Sequence, residues 1–299
     1  NTGRGFFRKA VRLGEELNTT YVVPIADLDN DGDLDVVVGN DRIQNMVFKN
    51  DGKGHMVFDH YFGYSESNTR GLCLADLNSD NFVDIAVANR RSQNFIYLNN
   101  RKGEFSSSQP FGLADEATIA IASADMNRDG HQDLILANRN AQPNKIYFGP
   151  KFINHGTYGT GKDETRDLAI SDMNGDGHMD IVTANIRQKN VVYYGNSKGE
   201  FLKSRSFGSE LDATYSIDLG DLDLDGDIDI VVGNAGGINH YFLSNGTNFN
   251  QYEFGSIENV TYGVSVGDLN GDNYPDIVTA NSGSQNIIYL NQPANNLDR

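Results

Sequence analysis

A nine-residue acidic run, Asp27-Leu-Asp29-Asn-Asp31-Gly32-Asp33-Leu-Asp35, leads straight into Val36-Val-Val-Gly-Asn40 and returns five more times. The copies begin at Asp76, Asp125, Asp172, Asp221 and Asp268, at intervals of 49, 49, 47, 49 and 47 residues. So even a spacing makes the chain one structural unit written six times. Each unit has an apolar or small-residue stretch before the loop (Thr118 to Ala124) and a second after it (Asp133 to Asn138). A third carries aromatic residues (Asn144 to Phe148), and a Gly-rich turn leads to a fourth, such as Gly103-Glu-Phe105 through Phe111-Gly112. Runs of about 5–6 residues, β-branched and aromatic between Gly/Asn/Asp turns, are strands, and no segment sustains a helical apolar period.

Four short antiparallel strands in each unit predict an all-β, six-bladed β-propeller, a single domain over residues 1–299. Small residues suit the innermost strands: Gly71, Ala120, Ala122, Ser216, Gly263 and Ser265. A linear solenoid would need polar capping units at its ends. Here Gly5-Phe6 through Leu13-Gly14 resembles a fourth strand, while the last unit stops after Ile287 to Leu290. The N-terminal strand is therefore expected to close the last blade and remove its open edge.

Within each loop, positions 1, 3, 5 and 9 are Asp or Asn: Asp27, Asp29, Asp31, Asp35; Asp76, Asn78, Asp80, Asp84; Asp125, Asn127, Asp129, Asp133. The remaining sets are Asp172, Asn174, Asp176, Asp180; Asp221, Asp223, Asp225, Asp229; and Asp268, Asn270, Asp272, Asp276. Short oxygen side chains at alternate positions converge on a hard cation, and the position-7 carbonyl adds a ligand. That carbonyl belongs to Asp33, Phe82, His131, His178, Asp227 and Tyr274. Position 6 is Gly32, Gly130, Gly177, Gly226, Asn81 or Asn273, the residue types that tolerate a left-handed turn. The four ligand positions hold 20 of the chain's 41 acids, and six Ca2+ would move the net charge from −17 to −5. Up to six structural calcium ions are expected, with the Asn81 and Asn273 loops the weakest. Magnesium, which demands strict octahedral geometry, fits less well.

These loops, with the Asp172-Met-Asn-Gly-Asp-Gly-His-Met-Asp-Ile-Val182 copy the cleanest, resemble those of the FG-GAP/VCBS repeat family, which includes the integrin α-subunit propeller. The Phe-Gly pairs at Phe62-Gly63, Phe111-Gly112, Phe207-Gly208 and Phe254-Gly255 match as well. The likeness spans essentially the whole chain. Members commonly have seven blades where six are counted here, and the Gly-Ala-Pro triplet is absent. The resemblance implies the propeller fold, calcium loops on one face and partner binding on the face opposite.

On that opposite face, the loops between second and third strands are framed by Asn pairs, from Asn40/Asn45 to Asn281/Asn286, whose amides can close the turn. Arg42, Arg90, Arg91, Arg139 and Arg187 occupy four of these loops. Arg70 and Arg166 begin first strands on the same face, where Tyr21, Ile119, Tyr215 and Tyr262 stand in other blades. Guanidinium groups flanked by tyrosines suit a carboxylate- or sulfate-bearing ligand, though pairing with Asp41, Asp167 or other local acids is the alternative. The expected function is a secreted or surface-exposed propeller (extracellular, cell-surface or periplasmic) binding a glycan or protein. The alternative is a lyase acting on an acidic polysaccharide, with His60 and His155 near Tyr61 and Tyr158 as candidates. Net charge argues against nucleic acid, no apolar run approaches a membrane span, and a monomer is expected. The lone Cys73 excludes an intrachain disulfide and reads as a small buried residue.

Overall fold

The computed structural model describes residues 13–246 and 248–292. Among these residues every regular element is a β-strand, and the strands form six antiparallel sheets, the blades of a β-propeller. Blade 1 comprises Thr20–Val22 (β1), Ile25–Ala26 (β2), Asp35–Asn40 (β3), Asn45–Asn50 (β4) and Met56–Phe62 (β5). Blade 2 comprises Thr69–Ala75 (β6), Asp84–Asn89 (β7), Asn94–Leu98 (β8) and Ser107–Phe111 (β9). Blade 3 comprises Thr118–Ala124 (β10), Asp133–Asn138 (β11), Asn144–Tyr147 (β12) and His155–Tyr158 (β13). Blade 4 comprises Thr165–Ser171 (β14), Asp180–Asn185 (β15), Asn190–Tyr194 (β16) and Lys203–Phe207 (β17). Blade 5 comprises Thr214–Gly220 (β18), Asp229–Asn234 (β19), Asn239–Ser244 (β20) and Phe249–Phe254 (β21). Blade 6 comprises Val260–Gly267 (β22), Asp276–Ser282 (β23) and Ile287–Tyr289 (β24).

Strands pair in chain order within every blade. In blade 1, β1 and β2 both pair with β3 and are separated at Val23-Pro24, since proline has no N–H to give the ladder. The expected partner of β24, the N-terminal strand, falls mostly on residues 1–12, outside the described residues. The chain divides into two compact units: Arg12–Thr165 with Asn196–Phe201 carries blades 1 to 3, and Arg166–Gly195 with the chain from Leu202 onward carries blades 4 to 6.

The second strand of blades 1 to 5 is buried at all six positions. Its apolar residues face neighbours on both sides, as a strand between packed layers must. Its two polar ends are clasped. At the start, Asp84 accepts from Leu77 N (3.0 Å) and Asn99 N (2.8 Å), and the same two bonds form at Asp35, Asp133, Asp180, Asp229 and Asp276. At the end, the Asn89 N–H donates to Asn94 Oδ1 (2.7 Å) and its amide donates to Gln93 O (2.7 Å). All six Asn pairs repeat this closure. The second Asn also reaches the next blade, as in Asn94 to Thr118 Oγ1 (3.2 Å) and Asn239 to Thr261 Oγ1 (2.9 Å).

The Phe-Gly pairs join neighbouring blades. Phe62, Phe111, Phe207 and Phe254 each meet Tyr97, Tyr147, Phe242 and Tyr289 of the next blade edge to face, with centroids 5.0–5.5 Å apart. The glycine that follows each has a φ between +69° and +83°, which turns the chain away beside that ring. Cys73 is buried, and burial pushes its thiol up to about 11.

Candidate functional site

Each acidic loop is shaped by its own carboxylates. The position-1 Asp accepts backbone N–H bonds from positions 5 and 6: Asp172 from Asp176 N (3.1 Å) and Gly177 N (2.7 Å). The position-5 Asp accepts from position 7, as Asp176 does from His178 N at 2.9 Å. Both patterns hold in all six loops. Position 6 is left-handed throughout, including Asn81 (φ 67°) and Asn273 (φ 70°). Position 4 is left-handed too, at Asn30, Ser79, Arg128, Gly175, Leu224 and Gly271, which the sequence did not reveal. Leu224 holds φ 62° without a side chain suited to it. Leu224→Gly is therefore expected to raise stability by about 0.5–1 kcal/mol, read from the denaturant midpoint; a loss would contradict it.

The donors fit a hard cation. Asp27, Asp29 and Asp35 bring one oxygen each within 4.8 Å of one another, as do Asp221, Asp223 and Asp225. Asp29 Oδ1 is buried with no donor facing it, an arrangement a cation relieves. The position-9 carboxylates carry a double load, because the N–H clasps already use one lone pair of each oxygen. Burial pushes Asp84, Asp133, Asp180 and Asp229 up to about 6, and Asp35 upward as well. The side chains of His131 and His178, at position 7, lie apart from this pattern: His131 Nδ1 faces Ser79 Oγ at 3.4 Å.

The six-residue second strand puts the arginine loops about 20 Å from the acidic loops of the same blade. In each of the six Asn-framed loops the residue two beyond the first Asn is left-handed: Arg42 (φ 57°), Arg91 (56°), Asn140 (62°), Arg187 (52°), Gly236 (137°) and Gly283 (75°). The backbone is locked there, with Arg42, Arg91 and Arg187 N–H donating to Ser67, Glu116 and Asp212 carbonyls. At the top of the first strand the ladder register shifts in blades 1, 2, 3, 5 and 6. The residue in the shift is Tyr21, Arg70, Ile119, Tyr215 or Tyr262, a β-bulge position from which a side chain is re-aimed.

Several arginines have local partners. Arg70 pairs with Asp41 (2.9 Å) while its guanidinium lies 3.9 Å over the Tyr21 ring, and Arg139 pairs with Glu164 (3.1 Å). For these two, the local-acid alternative is realised. Arg42 donates to Asn68 Oδ1 (3.3 Å), and Asn140, its amide oxygen turned toward Arg91, accepts at 3.1 and 3.2 Å. Arg90 runs its backbone N–H to Asn68 O at 2.9 Å. In blades 4 to 6, Arg166 lies 5.4 Å over Tyr215, which meets Tyr262 edge to face at 4.9 Å. The nearby loops are bare, since a Cβ at Gly236, Gly237 or Gly283 would touch nothing within 4 Å. Asp167 accepts from Ile217 N (3.1 Å), and burial pushes it up to about 6.

The histidine candidates sit elsewhere, on outer strands of blades 1 and 3. His60 bonds Asp59 (2.7 Å) and stacks over Phe105, and His155 packs on Tyr147. The Tyr158 hydroxyl donates to Leu136 O (3.0 Å), and Tyr61 donates to Glu16 (2.7 Å). A buried group the sequence did not reveal lies beside His155: Lys145 Nζ contacts Glu116 at 2.5 Å, and the Tyr147 hydroxyl donates to the same carboxylate at 2.7 Å.

Antiparallel blades, four-stranded in blades 2 to 5, with oxygen-rich loops at one end of each second strand and Phe-Gly turns between blades define a repeat propeller with metal-competent loops. The FG-GAP-like repeat matches residues 27–87, 76–136, 172–232 and 221–279, and the chain belongs to that family. No curated protein matches the sequence. Among solved structures, BBS1N in complex with ARL6DN, soaked with lead, is 11% identical with a TM-score of 0.50, over 95% of this chain and 95% of that one. The mercury-soaked form is 12% identical with a TM-score of 0.51, over 94% and 95%. Raptor of Chaetomium thermophilum is 12% identical with a TM-score of 0.60, over 91% of this chain and 24% of that one. At such identities the likeness is one of fold alone.

Proposed function

We propose that this chain is a secreted or surface-exposed, calcium-stabilised propeller that binds an acidic glycan or a protein through its arginine and tyrosine loops. The acidic loops hold calcium through side-chain oxygens at positions 1, 3, 5 and 9 and the position-7 carbonyl. The ion neutralises carboxylates that would otherwise repel one another, and its role is structural.

The observation carrying the ligand reading is conformational. Arg42, Arg91 and Arg187 stand at left-handed positions that Asn140, Gly236 and Gly283 fill in the other blades. An arginine there opposes its own backbone preference, and such local strain concentrates at functional sites. The fold needs only the turn, so the guanidinium is what distinguishes these blades. The lyase alternative needs a histidine and tyrosine beside the arginines, but His60 and His155 lie on outer strands and the Tyr158 hydroxyl is committed to a carbonyl.

The test is a glycan array with Arg42→Gly, Arg91→Gly and Arg187→Gly. Each glycine should weaken binding to sulfated or uronate glycans at least fivefold while leaving the melting temperature unchanged or higher. Unaltered binding with all three replaced would rule these arginine loops out as the ligand site.

A further inference from the structure

The acidic loops of blades 1 and 5 make a natural comparison. Each carries five aspartates, at Asp27, Asp29, Asp31, Asp33 and Asp35 and at Asp221, Asp223, Asp225, Asp227 and Asp229. They are also the two loops whose carboxylate oxygens converge within 4.8 Å among the described residues. What differs is the fifth residue of the third strand. In blade 1 it is Lys49; in blade 5 it is Leu243, which lines an apolar cavity together with Asp223. The other blades have Leu98, Phe148, Tyr194 and Leu290 at this place, so no other blade puts a cation there.

Lys49 is held firmly. Its ammonium donates to Lys102 O at 2.6 Å and pairs with Asp29 Oδ2 at 3.0 Å, with three-quarters of the side chain buried. The other oxygen of that carboxylate, Asp29 Oδ1, is the buried one without a donor. One oxygen of Asp29 thus serves the ammonium and the other is left for a metal.

We propose that Lys49 is a tethered counter-ion that lowers the calcium affinity of the blade-1 loop below that of the blade-5 loop, which carries aspartates at the same five positions. The inference rests on the calcium reading above. A calcium ion bound to an Asp29 oxygen would lie about 5 Å from the ammonium, since Ca–O distances are about 2.3–2.6 Å. A double and a single positive charge at that separation repel enough, even in a water-like dielectric, to weaken binding about tenfold. Lys49 also supplies the charge that lets this loop keep its shape when calcium is scarce, whereas among the described residues no Lys or Arg forms an ion pair with the blade-5 carboxylates.

Crystals of the whole chain grown at limiting calcium, with anomalous peak heights read loop by loop, test this. The wild type should show a stronger peak at the blade-5 loop than at the blade-1 loop. Lys49→Leu, the residue present in blades 2, 5 and 6, should raise blade-1 occupancy to the blade-5 level, and calorimetry should show one site tightened about tenfold. The reciprocal Leu243→Lys should lower the blade-5 peak. Calcium at the other loops with blade-1 occupancy unmoved by Lys49→Leu would overturn the inference and leave the calcium reading standing. No peak at any loop, at any calcium concentration, would overturn both.

Discussion

Stripping calcium with excess chelator should lower the melting temperature by at least about 10 °C. A ligand at a hundredfold excess over its dissociation constant adds about 2.7 kcal/mol per independent site, and a chain of this size shifts by roughly 2–4 °C per kcal/mol. Two or three occupied loops therefore suffice. The pH dependence should also reverse sign. Asp84, Asp133, Asp180 and Asp229 are pushed up to about 6 because burial disfavours their charged forms. An acid whose folded value lies above its unfolded value of about 3.9 takes up a proton more readily when folded. The cation-free protein should therefore gain stability as pH falls from 7 toward 5. The calcium-loaded protein should lose stability over that range, because protons compete with the ion for the same oxygens. Thermal scans at pH 5 and 7, with calcium and with chelator, check both. Parallel curves in the two conditions would show that the acidic loops do not take the ion.

Lys145→Met is expected to be the most damaging single substitution outside those loops, at about 3–5 kcal/mol. Lys145 and Glu116 are 7% and 3% exposed, so neither charge is solvated by water. Each relies on the other, with Tyr147 and Asn94 supplying the remaining bonds to the carboxylate. Removing the ammonium leaves Glu116 buried without its counter-ion. Glu116→Gln combined with Lys145→Met should recover most of the loss, since a neutral amide needs no counter-ion. Chemical denaturation of the two single variants and the double variant measures the coupling. Additive losses would mean that the pair is not coupled as its 2.5 Å contact implies.

The repeat made the fold legible because each blade repeats one solution to the same packing problem. Position 9 is always Asp and the framing pair is always Asn, and both turn out to be clasps on a buried strand. Gly32 and its counterparts marked the left-handed position 6, since glycine reports backbone directly. Position 4 was only half marked: Asn30, Gly175 and Gly271 suit that conformation, but Ser79, Arg128 and Leu224 take it as well, within loops shaped by the surrounding Asp–N–H bonds. The Lys145–Glu116 pair was illegible for another reason: 29 residues separate its members, and only the stacking of one blade's entry loop on its third strand brings them together. Sequence located the arginines along the chain, at the Asn-framed loops and the starts of first strands, but could not tell Arg70 and Arg139, bound to Asp41 and Glu164, from Arg42, Arg91 and Arg187, whose left-handed backbone sets them apart.

A crystal grown in millimolar calcium, with data collected at a wavelength where calcium scatters anomalously, decides whether the acidic loops take the ion. Peaks are expected within reach of Asp or Asn oxygens at positions 1, 3, 5 and 9 and of the position-7 carbonyl, in at least the Asp172 and Asp221 loops. Ordered water at those places, with the Asp side chains bonded only to their own backbone, would contradict it.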